Sequence, residues 1–181
     1  MTNLPVPVPV SEVPGDSIAS ALWNSQIRDG LGFLLNDPLF VGTQTTSQNV
    51  PNSAWTAISL NTSQFDTYGG HSNTVNNTRY TAQVPGYYAV AGVVCFAANA
   101  TGVRAARIHV NGTVVQGSSQ MYPTLPSNTS GVATPLRTIY LNASDYVEVA
   151  GWNNSGLGLP GLATGVAPDL SSALYVAWAH A

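Results

Sequence analysis

The chain has 181 residues, of which only 7% are charged, and its basic side is five arginines with no lysine. A net charge of −3 alongside 44% hydrophobic residues argues against a nucleic-acid partner or insertion at an anionic membrane, and equally against a disordered chain. The length fits one ordinary domain with an appendage, enough to bury about 70% of the unfolded surface.

Ser, Thr and Asn supply most of the polarity. Exposed edge strands are often protected by Lys, so a lysine-free β chain is expected to close its edges or pair them with neighbours. Cys95 has no partner for a disulfide and no metal-ligand spacing around it, which makes it a small core residue. No apolar run is long enough to span a bilayer. The first ten residues lack the basic region and apolar core of a secretory signal. Sequons at Asn61, Asn76, Asn99, Asn111, Asn128, Asn142 and Asn153 follow from an Asn/Ser/Thr-rich composition.

Residues 4–10 alternate Pro with Val or Leu, predicting an extended, polyproline-like arm that gains order only by lying on something. Pro14-Gly15-Asp16 marks a turn, with Asp16 or Ser17 as helix N-cap. Ile18, Leu22, Ile27, Leu31 and Leu34 then recur at helical spacing, with Trp23 and Leu35 beside the stripe. Gly30 and Gly32 weaken the second half, and Asn36-Asp37-Pro38 stops it. Such a helix is marginal alone. Trp23, Ile27, Leu31 and Leu34 are therefore candidate attachment or intersubunit contacts, the competing reading being a helix folded back on its own β-domain.

From Leu39 onward the signals are β, with strands expected near 39–46, 54–60, 78–83, 86–97, 103–110, 113–120, 132–141, 145–152 and 172–180. Pro85-Gly86-Tyr87-Tyr88 opens a strand that is apolar on both faces, Tyr87, Ala89, Ala91, Val93 and Cys95 against Tyr88, Val90, Gly92, Val94 and Phe96. Antiparallel strands normally alternate apolar with polar, so this run wants cover on both sides, most simply from another copy of itself. Tyr87, Tyr88, Phe96, Tyr175 and Trp178 are the expected packing residues, within the core or between subunits. Asn111-Gly112 is a two-residue hairpin signal, and Asn142 to Asp145 a further turn. The Gly- and Pro-rich stretch 153–171 holds Leu157, Leu159, Leu162 and Val166, which predicts a loop lying against a surface.

The order of these features resembles the globular head of complement-one-q and the tumour-necrosis-factor superfamily. The likeness is carried by Phe40-Val-Gly-Thr, Trp55-Thr-Ala-Ile, Phe65-Asp66, Arg79-Tyr-Thr, Val84-Pro-Gly-Tyr-Tyr88, Ile108-His-Val-Asn-Gly112, Leu141 to Val149 and the apolar closing strand. It implies an all-β, antiparallel jelly-roll sandwich of about ten strands, trimeric, over residues 39–181, preceded by an arm and short helix over 1–38. Leu22-Trp23-Asn24, Ile27-Arg28-Asp29-Gly30 and the leucine-rich end before Pro38 look like the start of small virion proteins of tailed bacteriophages. That resemblance implies a structural protein of the virion, assembled in the host cytoplasm, with other capsid or tail proteins as partners and a host-surface glycan as candidate ligand. A secreted, lectin-like trimer is the alternative.

Catalysis needs convergent titratable groups, and this chain is poor in them. Asp66, Glu148 and Asp169 could in principle supply a glycosidase pair, but nothing in the sequence gathers them. His71, His109 and His180 have no metal-binding spacing, no Gly-x-Ser-x-Gly elbow occurs, and His109 beside Arg107 reads as solvent-facing. The expectation is no enzyme, no cofactor and no metal centre, although a cation near a trimer axis could draw on Asp66 or Asp169. Tyr122, Trp152 and Asn153 are the candidate sugar-binding residues, joining aromatic faces to neutral amides. The plainer reading packs Trp152 under the 153–171 loop.

Overall fold

Short runs of Val, Ile, Thr and Tyr punctuated by Gly, Pro and Asn pair here into antiparallel ladders. The structure, a computed structural model, describes residues 3–11, 13–15, 17, 19–123, 130–157, 162–167 and 169–181. Asp16, Ile18 and Leu159 lie outside these. The strands are β1 (Leu39–Thr43), β2 (Asn49–Val50), β3 (Thr56–Ala57), β4 (Thr62–Asp66), β5 (Arg79–Thr81), β6 (Gly86–Phe96), β7 (Val103–Val110), β8 (Thr113–Val114), β9 (Gln120–Pro123), β10 (Ser130–Ala133), β11 (Arg137–Leu141), β12 (Tyr146–Asn153), β13 (Leu162–Ala163) and β14 (Ala173–His180). In one sheet β10 and β11 share an edge of β6, which is followed by β14, β1 and β4. In the other, β3 and β5 share an edge of β12, β7 lies on its far side, and β8 and β9 share the outer edge of β7. The two sheets form the antiparallel jelly-roll sandwich.

The expected run 132–141 is two strands, β10 and β11, broken around Pro135, which has no N–H for a ladder. The run 113–120 likewise divides into β8 and β9 around Gly117, whose φ is +73°. At Asn111-Gly112 both residues take positive φ, 50° and 77°, and the predicted hairpin joins β7 to β8.

β6 resolves its double-apolar pattern by sending Tyr88, Val90, Val94 and Phe96 into the core with Phe40, Ile108, Val149, Leu174 and Val176. Gly92 breaks that series where the facing sheet leaves no room for a side chain, since a Cβ there would stand 2.7 Å from Val149 Cγ2. The alternate positions Tyr87, Ala89, Ala91 and Val93 face outward and are not fully buried. Cys95 is the exception: it is buried, and burial pushes its thiol pKa up.

The N-terminal segment folds back on its own head. Its helix runs as an α-turn Ser20–Trp23, a π-type turn Asn24–Asp29 and an α segment Gly30–Leu35. Ala19 occupies the N-cap and makes no side-chain capping bond, so Ser17 is not the cap. The residue that docks the helix is Phe33, absent from the predicted stripe. It is fully buried with Tyr68 and Val84, against Leu4, Val6 and Trp178. Its ring meets Trp178 edge-on at 4.8 Å between centroids. The arm is ordered by the same cluster: Asn3 Nδ2 donates to the Tyr68 carbonyl at 2.8 Å, and the Tyr68 hydroxyl to the Leu4 carbonyl at 3.1 Å. Gly32, read from sequence as a weakness, makes room for Leu4, whose Cδ1 would lie 2.9 Å from an added Cβ.

Candidate functional site

Strand register turns the outer face of the β6-containing sheet into uncharged rows. One runs Phe65, Val41, Tyr175, Ala91 across β4, β1, β14 and β6; the next runs Leu39, Ala177, Ala89, Thr138 into β11. A third joins Thr43, Ala173, Val93 and Ala133. None of these twelve positions is charged. At the sheet end Tyr87 and Tyr140 meet edge-on at 5.2 Å, and His180 stacks on Tyr87 at 4.6 Å. Phe65, Tyr140 and Tyr175 are 49%, 50% and 41% exposed. The small residues of the middle rows leave a shallow apolar depression of about 210 Å³ beside Tyr175.

Of the five expected packing residues, Tyr88 and Phe96 are buried in the core, while Tyr87 and Tyr175 stand on this outer face. Trp178 belongs to the helix junction: its Nε1 donates to the Pro85 carbonyl at 3.3 Å, and the indole lies over Gly86. Phe65 was missed because TSQFD lacks a clean alternation and its strand is an edge; only the register places Phe65 beside Val41, as it places Tyr140 beside Tyr87.

A second apolar surface lies on the helix. Trp23, Ile27, Leu31 and Leu34 are 57%, 43%, 54% and 62% exposed. The five-residue step from Leu22 to Ile27 suits the wider π-type turn, which keeps the stripe continuous. Ile27, Leu31 and Leu34 line a groove of about 360 Å³ with Val6, Pro7 and Trp178.

The candidate sugar-binding residues divide. Asn153 is fully buried; its amide donates to the Val50 carbonyl at 2.8 Å and its oxygen accepts from Ser155 N and Oγ. The expectation of Asn153 as a ligand contact is therefore corrected: inward alternation on β12 consumes its hydrogen-bonding capacity. Tyr122 is half exposed on β9. Trp152 is partly exposed beside Trp55, with centroids 6.2 Å apart and planes tilted by 33°. The loop after it is held by the β13–β2 pair and by the Gln48 N bond to Thr164 Oγ1, while Leu157 and Val166 are exposed.

The titratable groups are dispersed and locally engaged. Asp66 accepts from the backbone N–H groups of Gly70 and His71 at 2.9 and 3.0 Å. Glu148 accepts from the Thr78 hydroxyl at 2.5 Å. Among the described residues no group of His, Cys, Asp or Glu is arranged to hold a metal ion, and no helix is long and apolar enough to cross a membrane. His109 corrects the solvent-facing expectation: it is 9% exposed, and its Nε2 accepts from Arg107 Nε at 2.7 Å.

Burial, and then the charge of Arg107, hold His109 below its ordinary pKa of 6.5. The unfolded imidazole takes up a proton near that value while the folded one resists it, so the unfolded state binds more protons on acidification. The contribution is present above pH 6.5 and is lost as pH falls from there through the folded pKa. Urea midpoints measured across this range are expected to fall toward acid in the native protein. In His109→Gln, which keeps an acceptor that does not titrate, this part of the curve should flatten; an unchanged slope would assign the pH dependence elsewhere.

No protein-family model and no curated protein matches the sequence. Solved structures do match. The globular domain of zebrafish complement 1qA aligns with a TM-score of 0.51 and 15% identity, covering 78% of this chain and 95% of that one. Murine APRIL aligns with a TM-score of 0.55 and 11% identity over 77% and 98% of the two chains. The Eiger tumour-necrosis factor of S. frugiperda gives 0.52, 11%, 80% and 92%. At such identities the likeness is one of fold: the head is a jelly roll of the complement-one-q and tumour-necrosis-factor kind.

Proposed function

We propose that the chain is the subunit of a homotrimeric structural protein of a bacteriophage virion. In this reading the outer face of the β6-containing sheet closes the trimer, and the helix stripe fixes it to another capsid or tail protein. The head is presented outward, for host-surface attachment or decoration of the particle, and is not an enzyme. The observation that carries the assembly is the uncharged apolar face built from Phe65, Val41, Tyr175, Ala91 and their neighbouring rows. The resemblance of the 22–36 segment to phage virion proteins, together with its exposed apolar stripe, supports the attachment role.

Docking by Phe33 leaves the stripe free for a partner. Burying each large side chain there contributes about 1.5–3 kcal/mol, and three copies engaged together add avidity that one lacks. Two measurements test the reading. Native mass of the full chain should give three subunits. The variant Ile27→Ser/Leu31→Ser/Leu34→Ser should keep that mass and the fold yet be missing from assembled particles. A single-subunit mass refutes the trimer, and normal incorporation of the variant refutes the anchor.

A further inference from the structure

The outer face of the second sheet carries a guanidinium held by its neighbours. Arg107 on β7 and Trp55, just before β3, lie on opposite sides of the middle strand β12, yet the guanidinium carbon is 3.8 Å from the Trp55 ring centre. The crossing needs a low strand beneath it: Ala150 is the register partner of Arg107 on β12. Ala150 points outward by alternation but is 0% exposed, because the spanning side chain roofs it. The Nε–H is fixed on His109 Nε2 at 2.7 Å. The two terminal amino groups donate to no acceptor among the described residues, whose one ion pair is Arg28–Asp29.

Beside this fork stands Trp152, 6.2 Å from Trp55. Its row continues through Ala105 to Met121, which is 54% exposed. Indole faces accept the C–H faces of sugar rings. A rigid guanidinium with two free amino groups matches the two oxygens of a carboxylate. We propose that this platform binds a saccharide bearing a carboxylate, its ring on Trp152 and its acid group on the Arg107 amino groups. Glu148, the register partner of His109 on the same face, opposes negative charge, which favours a planar monoanion over a phosphate dianion. The inference gives the outward head a ligand class and in that respect rests on the host-attachment reading. The platform lies on the sheet opposite the assembly face, so binding and copy number are measured separately.

The test titrates the full chain with trigalacturonate and with neutral trigalactose by calorimetry and tryptophan fluorescence, with light scattering on the same samples. The expected result is saturable binding of the acidic sugar at concentrations where the neutral one binds at least about tenfold more weakly, as loss of a charge-assisted pair predicts. Arg107→Gln should remove that preference. If its thermal melt shows misfolding, Arg107→Lys, which keeps the charge but lacks the fork and the Nε donor, must weaken acidic binding in the same direction. Equal affinities, no saturable binding of the acidic sugar, or unchanged affinity in the folded variants overturns the site. An intact trimer with no acid-selective binding refutes only the site, and a single subunit that still selects acid refutes only the assembly.

Discussion

In the proposed trimer, Ala91→Arg is expected to separate the subunits while leaving the fold of each intact. Ala91 sits in the row Phe65, Val41, Tyr175, Ala91, on the outer and only partly buried side of β6. In a lone subunit a long arginine can lay its stem along that face and keep its head in water, so the core loses nothing. In a trimer the same side chain is carried into the contact, where the neighbouring rows hold no carboxylate to pair with it. An unpaired charge desolvated in this way costs about 3–5 kcal/mol, roughly two to four powers of ten in each dissociation constant. Sedimentation velocity should then give a single subunit for the variant and three for the parent chain, with circular dichroism unchanged. A variant that remains trimeric would remove this face from the interface.

Phe33→Ala should release the helix and arm without melting the head. Phe33 is fully buried in a cluster with Tyr68 and Val84 that is separate from the main core. Replacing a buried Phe by Ala costs about 3–5 kcal/mol, more than a short, glycine-bearing helix can supply from its own propensity. The loss is therefore expected as local opening. Amide exchange and limited proteolysis should report it over 20–35, with cleavage there well before the head unfolds. The main-core ladder between β6 and β14 should keep its protection. A cooperative fall in the melting of the whole chain, with no early cleavage, would show instead that helix and head unfold as one unit.

Much of the sandwich was legible in the sequence because its causes are local. Asn111-Gly112 turns β7 into β8 since both residues tolerate positive φ. Pro85-Gly86 opens β6 because Gly86, at φ +146°, adopts a backbone no other residue takes easily and leaves room for Trp178. The edges were less legible: β4 is a polar strand at a sheet margin, with no burial rhythm to announce it. The candidate site shows the same division. Apolar period marked Leu22, Ile27, Leu31 and Leu34 as a stripe with Trp23 beside it, and Tyr175 as a packing residue, but period states only that a side is apolar. What covers that side is a property of contacts far away in the chain. Phe33, one position from Leu34, took the contact with the head because Tyr68, Val84 and Trp178 converge there. Asn153 was drawn inward and Arg107 was carried across β12 to Trp55 by the pairing of strands distant in sequence. Turn chemistry and side-chain alternation are fixed between neighbours along the backbone, so residue order alone carries both. Which face is dry, which amide is spent and which cation is left with free donors depend on long-range register, which exists only once distant strands have paired.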